Sequence, residues 1–217
     1  MLFRSIIVSD VMMPRMNGYK LCKTIKEDIN ISHIPVILLT ARDDRQSQIS
    51  GYKNGADGYL SKPFEVEMLM ELIRNRLKNR EYTKKRYLNA GLIPTPEEST
   101  ISLTDETFLI KLNSIIQENI ENSNLGIQFI CQEVGLGRSS LYNKLKALTG
   151  MGANEYISKL RIEKAITLIS GTDMPFSEIA EKTGFTTPSY FSTAFKQYTG
   201  ETPSQYKERK KKGLADK

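Results

Sequence analysis

Histidine and cysteine are scarce in this sequence, and their scarcity removes several kinds of chemistry. The only histidine, His33, stands near Pro35 in what reads as a loop, so a His-rich zinc site, a Ser/His/Asp triad and a histidine phosphoacceptor motif elsewhere in the chain are excluded. The two cysteines, Cys22 and Cys131, lie far apart and form no CxxC pattern, so they read as buried, reduced thiols of a cytoplasmic protein without a disulfide framework. No run of 18 or more apolar residues occurs, and the opening MLFRSIIVSD is too short an apolar run for a signal peptide, so no membrane partner is expected. What is present is ordinary. A chain of 217 residues with 39% hydrophobic content holds one or two domains that bury cores without metal or disulfide help. The net charge of +6, from 31 cations and 25 anions, owes much to Arg209, Lys210, Lys211 and Lys212 and permits nucleic-acid binding without establishing it.

The first third of the chain alternates apolar runs with helical periodicity. Ile6, Ile7 and Val8 end at Ser9-Asp10, a second run from Pro35 to Leu39 ends at Thr40, and a third from Gly58 to Leu60 ends at Ser61-Lys62-Pro63. Tyr19 to Asp28 and about Arg45 to Lys53 are predicted helices, and a longer one runs from Phe64 to about Arg80 with Phe64, Met68, Leu69, Leu72, Ile73 and Leu77 on one stripe. Strand alternating with helix predicts βαβ units and a parallel sheet. Ligands of such sheets bind beyond the carboxyl ends of the strands, where Asp10, Thr40 and Lys62 all fall. A carboxylate, a hydroxyl and an ammonium at one edge suit phosphoryl transfer to the carboxylate.

With their flanks, SDVMMPRMNG, IPVILLTAR and GADGYLSKPF, these residues closely resemble the response-regulator receiver domain of two-component signalling. The resemblance implies that Asp10 accepts phosphate from a histidine kinase, that Thr40 and Tyr59 shift on phosphorylation, and that Lys62 contacts the phosphate. It also implies Mg2+, held by Asp10 and the backbone carbonyl of Met12 together with two acidic residues after the domain's first strand. Only nine residues precede Asp10 and none is acidic, while Asp43 and Asp44 are not in the matching position. One carboxylate holds Mg2+ poorly, so the metal site is expected to be degraded in this chain. The chain is accordingly expected to be a piece of a longer regulator, with the Ile6-Ile7-Val8 edge and one face of the last receiver helix, Phe64 to about Arg80, uncovered.

Glu81 to Leu103 passes from Lys84-Lys85-Arg86 to Gly91, Pro94 and Pro96 and reads as a linker. From Thr104 a helix carries Phe108, Leu109, Leu112, Ile115, Ile116 and Ile120 inward, with Asp105 and Glu106 in its first turn, where negative charge is favourable. Gly126 to Val134, a turn at Gly135 to Gly137, and Arg138 to Leu148 then form a helix-turn-helix. Leu141, Leu145 and Leu148 are its buried stripe; Arg138, Ser139, Ser140, Tyr142, Asn143 and Lys146 are candidate DNA contacts, with Asn143 able to pair with adenine. A helix from Gly152 to Ser170 follows, long enough to set two recognition helices about one duplex turn apart. Pro175 to Tyr206 repeats the pattern: Ile179 and Ala180 are apolar, Gly184 turns, and Thr187-Pro188 caps a helix with Tyr190, Phe191, Ala194, Phe195 and Tyr198 inward. Thr187, Pro188, Ser189, Ser192, Thr193 and Lys196 form its outer face, suited to phosphates and shape more than to base readout.

The stretch GF followed by TTPSYFSTAFKQYTGETPSQYK closely resembles the signature of AraC-type transcriptional regulators, whose DNA-binding domain holds two such units. The expected architecture is an α/β partial receiver with a CheY-like parallel sheet over residues 1–80, a linker over 81–103, an all-α double helix-turn-helix domain over 104–209 and a basic tail over 210–217. The resemblance implies a cytoplasmic, non-enzymatic transcriptional regulator of a hybrid two-component phosphorelay. Its implied partners are double-stranded DNA, a histidine kinase or fused kinase domain, and a second copy of the whole regulator. The competing expectation is a phosphoreceiver module whose helical domain binds protein.

Overall fold

The computed structural model describes residues 6–41, 51, 53–90 and 102–215. The chain divides into two compact units, residues 1–110 with 139–150 and residues 111–138 with 151–217. In the first, β1 (Ile7–Asp10), β2 (Val36–Thr40) and β3 (Gly58–Ser61) form a parallel sheet in the order β1-β2-β3. Ile7 pairs with Val36 and Ile37 with Gly58. Each strand lies within a residue or so of the apolar run that predicts it.

Parallel neighbours need a crossover, and α1 (Gly18–Glu27) supplies the one between β1 and β2. Successive β2 side chains serve opposite faces. Val36 and Leu38 share a core with Cys22 and Ile25 of α1, Val11 and Ala56. Ile37 turns the other way, where it and Leu72 of α2 (Val66–Ala90) close over Gly58. The sheet is thus covered by a helix on each face. The helix predicted over Arg45 to Lys53 falls largely outside the described residues.

Two features of α2 differ from the sequence reading. The helix runs to Ala90 and not to about Arg80, because the intervening EYTKKRYLNA contains no glycine or proline and Gly91 is the first breaker. Met68, expected inward, is 60% exposed, since it lies about 100° around the helix from half-buried Leu69. Val66 and Met70 are exposed as well, so the helix face expected to lack cover does lack it among the described residues, whereas on the strand edge Val8 is exposed and Ile6 and Ile7 are half-buried.

The remaining helices are α3 (Leu103–Glu118), α4 (Ile127–Val134), α5 (Arg138–Thr149), α6 (Ala153–Gly171), α7 (Phe176–Lys182), α8 (Pro188–Thr199) and α9 (Pro203–Ala215). The predicted inward residues of α3 are all buried. In the second unit Ile162, Ala165 and Ile169 of α6, Ile179 and Ala180 of α7, and Phe191 and Phe195 of α8 enclose Phe185 in one core. Its rings form a ladder with centroids 5.3 Å apart for Phe185 and Phe191, 5.7 Å for Phe191 and Phe195, and 5.6 Å for Phe195 and Tyr206. Such offset and edge contacts add about 0.5–1.5 kcal/mol each beyond burial. Tyr190 and Tyr198, expected inward, are instead 54% and 41% exposed. The phenylalanines fill the space, leaving Tyr190 edge-on to Phe185 and the Tyr198 hydroxyl donating to Glu163 at 3.4 Å.

The turn between α7 and α8 depends on Gly184. Its φ of 71° is left-handed, and a β carbon there would overlap the Ile120 carbonyl oxygen and stand 2.9 Å from the Arg161 guanidinium. Gly171, at the end of α6, has nothing within 4 Å of such an atom. Gly184→Ala should therefore cost about 2 to 4 kcal/mol, combining left-handed strain with overpacking. Gly171→Ala should be neutral or stabilise by up to about 1 kcal/mol. Urea unfolding followed by helical circular dichroism checks both; equal midpoints for the two variants would contradict the assignment.

Candidate acceptor site and nucleic-acid faces

Asp10 closes β1 and Lys62 immediately follows β3, so the parallel order with β2 between them brings both to the carboxyl edge of the sheet. Asp10 Oδ2 accepts a hydrogen bond and ion pair from the Lys62 ammonium, while Oδ1 accepts from the Met12 amide at 3.1 Å. The Lys62 backbone N–H donates to the Thr40 carbonyl at 2.6 Å, which fixes the lysine beside the end of β2. Thr40 is buried there, opposite Ser61 in the register. Tyr59 lies one turn of the pleat upstream, half-buried against the α1 side of the core. The structure thus joins Asp10 and Lys62 directly, sets Thr40 next to them and places Tyr59 behind.

The Lys62 ammonium, with the Met12 amide next in weight, holds the Asp10 carboxyl below the usual carboxylate range. Asp10 is therefore ionised at neutral pH, as a nucleophile must be. Gly18, which the sequence reading gave no role of its own, also lies at this site. Its N–H donates to the Val11 carbonyl at 2.9 Å, and a β carbon would overlap the Asp10 carbonyl oxygen. The signal available was the glycine eight residues after the acceptor, at the first position of α1.

Receiver domains typically bind Mg2+, but the described donors do not fit a resident divalent ion. Both Asp10 oxygens are engaged, exposed Met12 adds at most a carbonyl, and no group of three or more His, Cys, Asp or Glu among the described residues could hold a metal. Asp43 and Asp44 lie outside the described residues.

On α5 the stripe Leu141, Leu145 and Leu148 is buried as expected, while Ser139 and Tyr142 are exposed and Ser140, Asn143 and Lys146 are half-buried. Arg138 is exposed and donates to Gln128 at 2.8 Å. The turn before it is made by Gly135, at φ 73°. On α8 the Thr187 hydroxyl accepts from the Tyr190 amide at 3.2 Å, a helix cap, and Pro188 takes the first helical position. Ser189, Thr193 and Lys196 are exposed, with the Thr193 hydroxyl donating back to the Ser189 carbonyl at 3.1 Å, and Ser192 is half-buried. Outward-facing residues are thus Ser139 and Tyr142 on α5 and Ser189, Thr193 and Lys196 on α8. The sequence reading missed Lys144, which is fully buried although its neighbours on α5 are candidate contacts.

Residues 4–74 match the response regulator receiver domain and residues 130–209 match a helix-turn-helix domain. The chain therefore joins a response-regulator receiver domain to a helix-turn-helix domain of AraC type. It is 43% identical over 94% of its length to histidine kinase P4 of Formosa agariphila, and spans 15% of that protein. It is 29% identical to the probable transcriptional regulator ycf29 of Pyropia yezoensis, with 69% of this chain and 72% of that one aligned. Among solved structures it is similar to the C-terminal domain of the response regulator yesN from Fusobacterium nucleatum. That match has 32% identity, a TM-score of 0.42, and covers 44% of this chain and 93% of that one.

Within this receiver domain the acceptor carboxyl should titrate in a defined direction. Replacing Lys62 by Met should raise the Asp10 pKa, because the largest stabilising partner of the anion is gone. In the parent, the stability Asp10 contributes is present above its unfolded pKa and is lost as pH falls through its lowered folded value. Carboxyl carbon NMR across an acid titration reads both chains, and an unchanged Asp10 midpoint in the Lys62→Met variant would refute the pairing.

Proposed function

We propose that this chain is the receiver and DNA-reading part of a fused two-component protein, and that Asp10 is its phosphoacceptor. In the transfer, an Asp10 oxygen attacks the phosphorus of a kinase phosphohistidine. The P–N bond breaks, a P–O bond forms, and the imidazole leaves with its proton. Lys62 then exchanges a carboxylate partner for the acyl phosphate, and the Thr40 hydroxyl answers the same oxygens, with Tyr59 following. The 43% identity to a protein named as a histidine kinase, of which this chain spans a small share, supports a kinase fused to it. In the whole regulator, phosphorylation favours a homodimer and so tighter operator binding.

The observation that carries the DNA reading is the pair of helices α5 and α8, each with a buried apolar stripe and exposed residues on the other side, Ser139 and Tyr142 on α5 and Ser189, Thr193 and Lys196 on α8. Asn143 reads a base, with Ser139 and Tyr142 flanking it. Ser189, Ser192, Thr193 and Lys196 of α8 hold phosphates, and α6, about 28 Å long at 1.5 Å per residue, lets one chain address successive major grooves. A protein-binding helical domain would have no use for two such rows.

Selection of the chain against a random-sequence duplex pool at two salt concentrations tests this. An enriched site with two segments about one turn apart, bound more weakly as salt rises, is the expected result. Asn143→Ala should relax preference at one base pair by about 1–3 kcal/mol, whereas Lys196→Ala should weaken all sequences alike and reduce the salt slope by about one. No enrichment from a folded chain would overturn the DNA reading.

A further inference from the structure

Lys144 is among the largest fully buried side chains of the described residues, and it lies on the DNA-reading helix α5 immediately after Asn143. A buried ammonium is stable only if it is paired and its donors are used. Here it pairs with Asp105, 3% exposed in the first turn of α3, and donates to the Ser32 hydroxyl at 2.7 Å. Ser32, also fully buried, donates in turn to Asp105 at 2.7 Å, closing a triangle in which each group answers the other two. The ammonium also stands 5.1 Å from the centre of the Phe108 ring.

These three residues come from different parts of one unit. Ser32 belongs to the segment between α1 and β2 of the receiver, Asp105 to the helix that opens the DNA-binding domain, and Lys144 to its first recognition helix. A second bond runs parallel to them. The Thr104 hydroxyl donates to the Lys26 carbonyl at 2.9 Å. The Lys26 ammonium in turn bonds the Ile34 carbonyl at 3.0 Å and pairs with Asp57 at 2.7 Å, just ahead of β3. A continuous polar chain therefore joins the amino-terminal edge of the receiver sheet to α5. Ser139 and Tyr142 remain exposed on that helix, so the connection leaves its outer face open.

We propose that Ser32, Asp105 and Lys144 form an intrachain latch that seats the first recognition helix on the receiver. Lys144 is a positioning residue: it touches no base and acts by fixing the direction in which Asn143 points. The receiver thereby holds one recognition helix directly, at the sheet edge opposite the Asp10 acceptor. The latch deepens the reading of α5 as a base-reading helix and rests on it for its consequence at DNA.

The gentlest test is Ser32→Ala in the full chain, which removes the receiver's hydroxyl and leaves Lys144 and Asp105 paired within the helical domain. Amide hydrogen exchange of α5 should speed up about tenfold, the size expected for losing a hydrogen bond to a charged group, while α8 keeps its parent rates. Lys144→Met should speed α5 more than Ser32→Ala does, because it also leaves Asp105 buried without its cation, and the double variant should fall short of the sum of the two single effects because both touch one triangle. In binding to the selected duplex, Ser32→Ala should cost about fivefold and flatten the preference at the Asn143 base pair. Exchange in α5 within twofold of the parent after Ser32→Ala would overturn the latch. Faster α5 exchange in a chain whose parent selects no DNA would leave the latch standing and remove the DNA reading instead.

Discussion

Phe191 and Phe195 are fully shielded from solvent, and the polar face of α8 is held still because they are. A helix of twelve residues is marginal by itself, so its outward row keeps a fixed direction only if the inward stripe is locked. The ring ladder from Phe185 to Tyr206 supplies that lock, and Gly184 lets the chain turn tightly enough to feed Phe185 into it. The same division of labour recurs on α5, where three leucines are buried behind Ser139 and Tyr142. The functional rows carry little binding energy for folding, which is why they are free to be small and polar.

At the receiver end the constraint is electrostatic. As the proposed phosphoacceptor, Asp10 would have to be ionised to attack phosphorus and yet be held in one direction. Lys62 meets both demands, since its ammonium lowers the carboxyl pKa and anchors one oxygen while the Met12 amide anchors the other. That arrangement is available only because β2 lies between β1 and β3 and because Gly18 lets α1 start against the Asp10 backbone. An added phosphoryl group would have to draw Lys62 from its present partner, so the ion pair is also the element that phosphorylation disturbs first.

Much of this was legible in the sequence because it rests on local rules. Apolar runs marked the strands, Thr187-Pro188 marked the α8 cap, and leucines three and four apart marked the α5 stripe. The features that escaped are those in which tertiary context overrides a residue's usual habit. Lysine is read as solvent-facing, yet Lys144 lies three residues after Leu141 and four before Leu148, squarely on the buried stripe. Asp105 looked like a charge complementing a helix start, and its partner is distant in sequence. Tyr190 and Tyr198 fit the helical period but were displaced outward, since three phenylalanines already fill the core. The end of α2 was misjudged because polar, charged residues signalled a linker where helix propensity was still unbroken.

The placement of Lys144 has a physical consequence beyond stability. A leucine at that position would bury more comfortably, because an ion pair taken out of water regains little of its desolvation. Burial does lower the Lys144 pKa, opposed by Asp105. What the ion pair supplies that a leucine would not is direction: Asp105 and Ser32 satisfy the ammonium in one geometry only, whereas an apolar side chain tolerates several. In the proposed latch, specificity of docking would come from the polar triangle, whose ammonium also faces the Phe108 ring. The receiver sheet then has chemistry at both ends of its strands, with the acceptor carboxylate at one edge and the hold on the recognition helix at the other.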